Sequence, residues 1–223
     1  MEVKVKYILI KLYTIKMKNI MEKKLEREII NNAYTFDSYK AIVRKFAEGG
    51  KTSGEDQSSE RIFFTKLNFE RLKRIEKTTE ISEELVSEIS KISESIFLLV
   101  IAETWCGDVA QNLPPLAKMT EINPNIKLRI IFRDEYPEIM DEFLTEGTKS
   151  IPVCLIIKAE TLEVIYKWGP RPQTAQSMMK EFKSRSDYNH DEAVKQIQVW
   201  YAKDRTMTLQ NEFLDIFKVL HTD

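Results

Sequence analysis

Two sulfur atoms and their neighbours hold most of the chemistry this sequence offers. Cys106 stands in Thr104-Trp105-Cys106-Gly107-Asp108, directly after an unbroken apolar run, Ile96 to Ala102, and directly before a helical pattern. A thiol at such a junction meets the free backbone N–H groups and the positive dipole end of the helix, and both favour a thiolate. Cys106 is therefore a candidate nucleophile, with an inert small residue as the plainer alternative. Asp108 falls in the first helical turn, where the dipole favours a carboxylate. Its charge beside the sulfur also raises the thiol pKa, so a thiol of reduced acidity is expected. Cys154 lies in a second apolar run, Ile151 to Ile157, as a buried inert sulfur or as a distant resolving partner for Cys106. Arg171, between Pro170 and Pro172, reaches an anionic substrate, the Asp108 side chain or only solvent.

Other chemistries find less support. His190 and His221 are the only histidines, and neither stands at metal-ligand spacing from a cysteine. No metal and no other cofactor is expected. Gly50-Lys51-Thr52 ends like a phosphate-binding loop, but Lys45 occupies the first glycine position and no strand precedes it. A solvated turn is expected there. The aromatics do not alternate with basic residues in a nucleic-acid pattern.

The elements that must position these residues follow from periodicity. Helical patterns run over Met21 to Ile30, Ala33 to Phe46 and Glu60 to Lys77, the last with a broad apolar face that includes Phe63, Phe64, Leu67, Phe69, Leu72 and Ile75. That helix packs on more than one neighbour, as a core helix or as a cover over the reactive face. Ser82 caps a short helix to Ser93. Strands are expected at Ile96 to Ala102, Ile126 to Phe132, Ile151 to Ile157 and Leu162 to Trp168. Helices are expected from Gly107 to about Glu121, bent by Pro114 and Pro115, from Pro137 to a stop at Gly147, and from Gln173 to Lys183. A strand-helix-strand opening requires a parallel pair, and the last two strands make a hairpin. The fold class is α/β: a three-layer α/β/α sandwich around a central mixed sheet, with added helices at both ends. Two further helical patterns close the chain, marked by Ala193, Ile197 and Trp200 and by Leu209, Phe213, Ile216 and Leu220.

Composition sets outer bounds. The 223 residues are 43% hydrophobic and 31% charged with a formal net charge of -1, so no global field draws the chain to nucleic acid or an anionic membrane. Two cysteines are too few for a disulfide scaffold and fit a reducing compartment, so a cytoplasmic location is expected. The first twenty residues mix apolar side chains with five lysines, with no spanning run and no signal-peptide pattern. They read as a tail without function, and Met17 and Met21 offer alternative translation starts.

At Trp105-Cys106-Gly107 the chain resembles the thioredoxin superfamily. Pro114 lies eight positions after the cysteine, where that family carries its helix-bending proline, and the Gly169 turn falls before the last helix of the fold. Ile151-Pro152 resembles the cis-proline loop that faces the active-site cysteine. The resemblance implies that Trp105, Gly107, Ile151 and Pro152 line the substrate site around Cys106, with Trp105 as a partly exposed platform. The flanks, with Thr65-Lys66-Leu67-Asn68 and Trp200-Tyr201-Ala202-Lys203-Asp204, look like those of a bacterial group of thioredoxin-like proteins with helical extensions. Residues 1–20 are then a tail, 21–81 a helical extension, 82–186 the thioredoxin-like domain and 187–223 a second helical extension. Two departures matter. Val109 stands where a second cysteine belongs, and Val100 replaces the family's buried acid.

The resemblance therefore implies single-thiol redox chemistry at Cys106 on protein disulfides or low-molecular-weight mixed disulfides. Release would need an external thiol, as in monothiol glutaredoxins. The alternative is a non-catalytic thioredoxin-fold binding or scaffold module. Neither nucleic acid nor membrane is an expected partner, and the sequence leaves the oligomeric state open.

Overall fold

Seven consecutive apolar residues form the central strand, β1 (Ile96–Ala102), and every one is buried. Such a strand needs cover on both faces and a neighbour on each edge. It lies between β2 (Ile126–Phe132), which runs parallel to it, and β3 (Val153–Lys158), which runs antiparallel. β4 (Val164–Trp168) completes the order β2-β1-β3-β4. The structure is a computed structural model and describes residues 25–220. The tail assigned to residues 1–20, the start of the first expected helix and His221 lie outside the described residues.

In chain order the helices are α1 (Arg27–Asn32), α2 (Phe36–Gly49), α3 (Ser59–Thr78), α4 (Glu83–Ser90), α5 (Gly107–Ile122), α6 (Pro137–Glu142), α7 (Gln173–Ser184), α8 (His190–Asp204) and α9 (Met207–Leu220). Helix α5 makes the crossover between β1 and β2, as a parallel pair requires. Thr35, Ser58 and Ser82 accept hydrogen bonds from the first turns of α2, α3 and α4, so local polar side chains fix those starts. Tyr34 exchanges two backbone hydrogen bonds of 2.8 Å with Ile130, which covers the outer edge of β2 with the N-terminal segment. The result is the expected α/β/α sandwich around a mixed sheet, with helices added at both ends.

Three local expectations change. Helix α6 stops at Glu142 instead of running to Gly147. Phe143 turns inward and is 1% exposed, and Glu146 and Gly147, both at positive φ, form the tight turn of a Thr145–Thr148 bridge. Gly147 thus serves a turn and not a helix end. The loop after α2 is not a solvated turn: Thr52 and Ser53 are buried and docked on the chain after β1. Helix α3 does not bury a broad apolar face. It buries Thr65, Asn68, Leu72 and Ile75 and leaves Phe63 60% exposed.

The extensions pack differently from each other. Helix α9 places Leu209, Phe213, Leu214, Ile216 and Phe217 in the main core, and Glu212 joins it to Trp168 and Gln173. Helix α8 packs on α7 in a separate cluster of Ala175, Met179, Ala193, Ile197 and Tyr201. No helix among the described residues is long and apolar enough to cross a membrane.

Candidate functional site

The end of β1 delivers Glu103-Thr104-Trp105-Cys106 to the start of α5. Cys106 is the N-cap residue of that helix, with extended backbone angles (φ −82°, ψ 117°), and its carbonyl accepts from Ala110 at 3.2 Å. Its side chain turns across the sheet end, where Sγ donates to the Ile151 carbonyl at 3.4 Å. The Ile151–Pro152 peptide bond is cis, as is Gly169–Pro170. Gly169 adopts φ +114°, and a Cβ there would fall 2.2 Å from the Pro152 carbonyl oxygen, so only glycine permits this approach. Cys106, Ile151 and Pro152 thus meet in one place, with Trp105 and Gly107 as chain neighbours of the sulfur.

The sulfur is not presented to solvent: Cys106 is 8% exposed. Burial pushes its pKa from the ordinary 9 up to about 12, and the Asp108 charge adds to that rise. The backbone N–H groups of Val109 and Asp108 and the Arg171 guanidinium pull the other way and do not overcome it. The thiol is therefore protonated at neutral pH. The reduced acidity expected from Asp108 is present, but desolvation is its larger cause.

Asp108 is buried, with Oδ2 2.7 Å from Arg171 Nη2 and Oδ1 accepting from the Tyr201 hydroxyl at 3.0 Å. Asn112 donates to Tyr201 at 2.8 Å and to the Asp108 carbonyl at 2.8 Å. Burial pushes the Asp108 carboxyl upward, and Arg171 and Tyr201 oppose that push. Of the roles open to Arg171, the one observed is the ion pair with Asp108. Gly107 is covered as well: a Cβ there would sit 3.2 Å from the Gln198 amide and 3.4 Å from Arg71.

A knot of hydroxyls fixes the loop from the other side. Thr104 Oγ1 accepts from the Ser53 amide at 3.0 Å and lies 3.1 Å from Thr65 Oγ1 and 3.2 Å from Thr52 Oγ1. The Thr104 amide donates to Ser53 Oγ at 2.9 Å, and Asn68 donates to the Thr104 carbonyl at 3.1 Å. Glu103, fully buried, accepts from the Ser53 hydroxyl and from the Asp134 amide. Burial raises its pKa, and those two hydrogen bonds oppose the rise. Trp105 is half-buried beneath two guanidinium groups, with Arg61 at 4.3 Å and Arg133 at 5.0 Å from the ring centroid. It is less a bare platform than a ring already covered by cations.

Cys154 stands in β3 between Val100 and Trp168, is fully buried, and is pushed far up by desolvation. Both cysteines are free thiols, and Cys106 faces Ile151. Among the described residues no group of three or more His, Cys, Asp or Glu is arranged to hold a metal ion. Sequence reasoning missed Ser53, Glu103, Thr104, Arg71, Asn112 and Gln198 as parts of this site. Thr65, Asn68 and Tyr201 did stand in the two flanking motifs, and the structure brings all three to the loop that carries Cys106 and the helix turn after it.

A family model described as Thioredoxin matches residues 54–183. More than half of the chain is matched, and the chain belongs to the thioredoxin family. Among solved structures it is similar to a protein of unknown function from Pseudomonas aeruginosa, with 18% identity and a TM-score of 0.59, over 86% of this chain and 96% of that one. It is also similar to an HIV epitope scaffold, with 18% identity and a TM-score of 0.55 over the same shares. At that identity the likeness concerns the fold alone. No curated protein matches.

Proposed function

We propose that this protein carries out single-thiol redox chemistry through Cys106. The observation that carries the reading is the position of Sγ, at the cap of α5 and 3.4 Å from the carbonyl that precedes Pro152. As a thiolate, Cys106 attacks the S–S bond of a protein disulfide or of a low-molecular-weight mixed disulfide. A bond forms to Cys106, and the displaced sulfur leaves as a thiolate that takes up a proton. An external thiol then attacks the mixed disulfide, carries the bound group away in a new disulfide, and returns Cys106 to the reduced state. Val109 holds no sulfur, so the second step needs that outside thiol. Two buried donors near the site, Trp105 Nε1 and Arg171 Nε, have no acceptor among the described residues, and a partner's carbonyl or carboxylate oxygens reach them only when the site opens. Such chemistry suits a reducing compartment such as the cytoplasm.

A second reading has its own observation. A thiol at about 12 and 8% exposed is a poor resting nucleophile, which favours a thioredoxin-fold binding module without turnover. Partner capture under non-reducing conditions separates the two. The redox reading predicts proteins linked to the wild type, released by reductant, and lost with Cys106→Ser. The same partners held by both forms, unaffected by reductant, contradict it.

A further inference from the structure

We propose that α8 is a latch over the Cys106 site, and that its release, with the rest of the fold intact, presents the sulfur to a partner. The proposal rests on Cys106 as the reacting group, but its test reads access to the sulfur and not redox turnover, so the two fail separately.

The latch contacts are polar. Gln198 accepts from Gln111 at 2.7 Å and lies against Gly107, the residue after the thiol. Tyr201 donates to Asp108 and accepts from Asn112. Water can replace each of these hydrogen bonds at small net cost. The apolar face of α8 is not part of the main core. It contributes Ala193, Ile197 and Tyr201 to the small cluster shared with α7, so its release uncovers Ala175 and Met179 of α7 and removes no residue from the main core.

Both ends of α8 suit such a motion. The connection from α7, residues 185–189, is exposed throughout. At the other end Arg205 and Thr206 hold φ of 50° and 70°, a strained region for non-glycine residues and most of all for a β-branched one. Helix α9 beyond them stays anchored by Phe213 and Phe217, each fully buried in the main core. The moving part is therefore bounded by an exposed segment on one side and a strained joint on the other.

The two cysteines supply the test within one molecule. The full chain is exposed to N-ethylmaleimide at low urea, and labelling of each cysteine is followed by peptide mass. Cys154, inside β3, reports unfolding of the sheet, and Cys106 reports the latch. The proposal predicts that Cys106 is labelled at least about a hundredfold faster than Cys154, with a much weaker urea dependence. It predicts that Gln198→Ala with Tyr201→Phe speeds Cys106 about tenfold and leaves Cys154 unchanged. Equal rates and equal urea dependence at the two sites overturn it. So does a double variant that leaves Cys106 unchanged or speeds both sites alike. Hydrogen exchange of the wild type, which needs no variant, supports the latch if the α8 amides exchange before those of α5 and β1, and overturns it if all three exchange together.

Discussion

Asp108 and the thiol of Cys106 compete for the same few ångströms of low-dielectric space. The carboxylate is held by Arg171 and Tyr201; burial keeps the sulfur protonated, and the carboxylate's charge adds to that effect. Alkylation of Cys106 by a neutral reagent should therefore rise about tenfold per pH unit from pH 8 to 11. A plateau at or below pH 9 contradicts the assignment. The same shift has a stability consequence. The folded thiol binds its proton more tightly than the unfolded one, so its contribution is complete below pH 9 and is lost as pH rises from 9 to about 12. Asp108→Asn removes the nearby charge and should increase labelling severalfold at pH 8. It also leaves Arg171 without its counter-ion, which should cost about 3–5 kcal/mol of stability in urea unfolding. Unchanged labelling in that variant would show that burial alone sets the thiol.

Among the elements, the Glu103–Cys106 loop is clamped between α3 and the loop after α2 on one side and the first turn of α5 on the other. Thr104 is the hub of that clamp, bonded to partners from Ser53, Thr65 and Asn68. Thr104→Val keeps the volume but strands buried polar groups, and should cost about 2–3 kcal/mol. Hydrogen exchange at residues 50–58 should speed up in that variant; unaltered protection there would show that the clamp is held elsewhere. These contacts explain what the sequence could and could not show. Apolar runs such as Ile96 to Ala102 have one solution, a strand buried on both faces, and its bounds were legible to the residue. The Cys106-Ile151-Pro152 meeting was legible through a family pattern. The hydroxyl knot was not, because serine and threonine in a glycine-rich stretch look the same whether water or a buried loop accepts their hydrogen bonds. Nor did the aromatics of α3 reveal that Thr65 and Asn68 would face inward while Phe63 stays exposed.

At the scale of the whole molecule, the added helices are working parts of the fold. Phe213 from α9 lies 5.7 Å from both the Trp168 and Phe217 ring centroids inside the main core. Phe213→Ala should cost about 3–5 kcal/mol, read as a shift in the denaturation midpoint of the entire protein. A loss below 1 kcal/mol would mark α9 as an appendage. Helix α8 is the exception, since it joins the rest through polar groups and a small cluster with α7. One part of the C-terminal extension therefore completes the core while the other packs over the first turns of α5, directly after the thiol. A motif of five residues around a cysteine does not contain this division.

Cys106 is proposed above as the sulfur that exchanges with outside disulfides. Intact mass after incubation with a small-molecule disulfide reads that exchange without a partner protein. One adduct per chain is expected, placed on Cys106 by peptide mapping, removed by added thiol and absent from Cys106→Ser. No adduct on the folded protein, or an adduct on Cys154 alone, would contradict it.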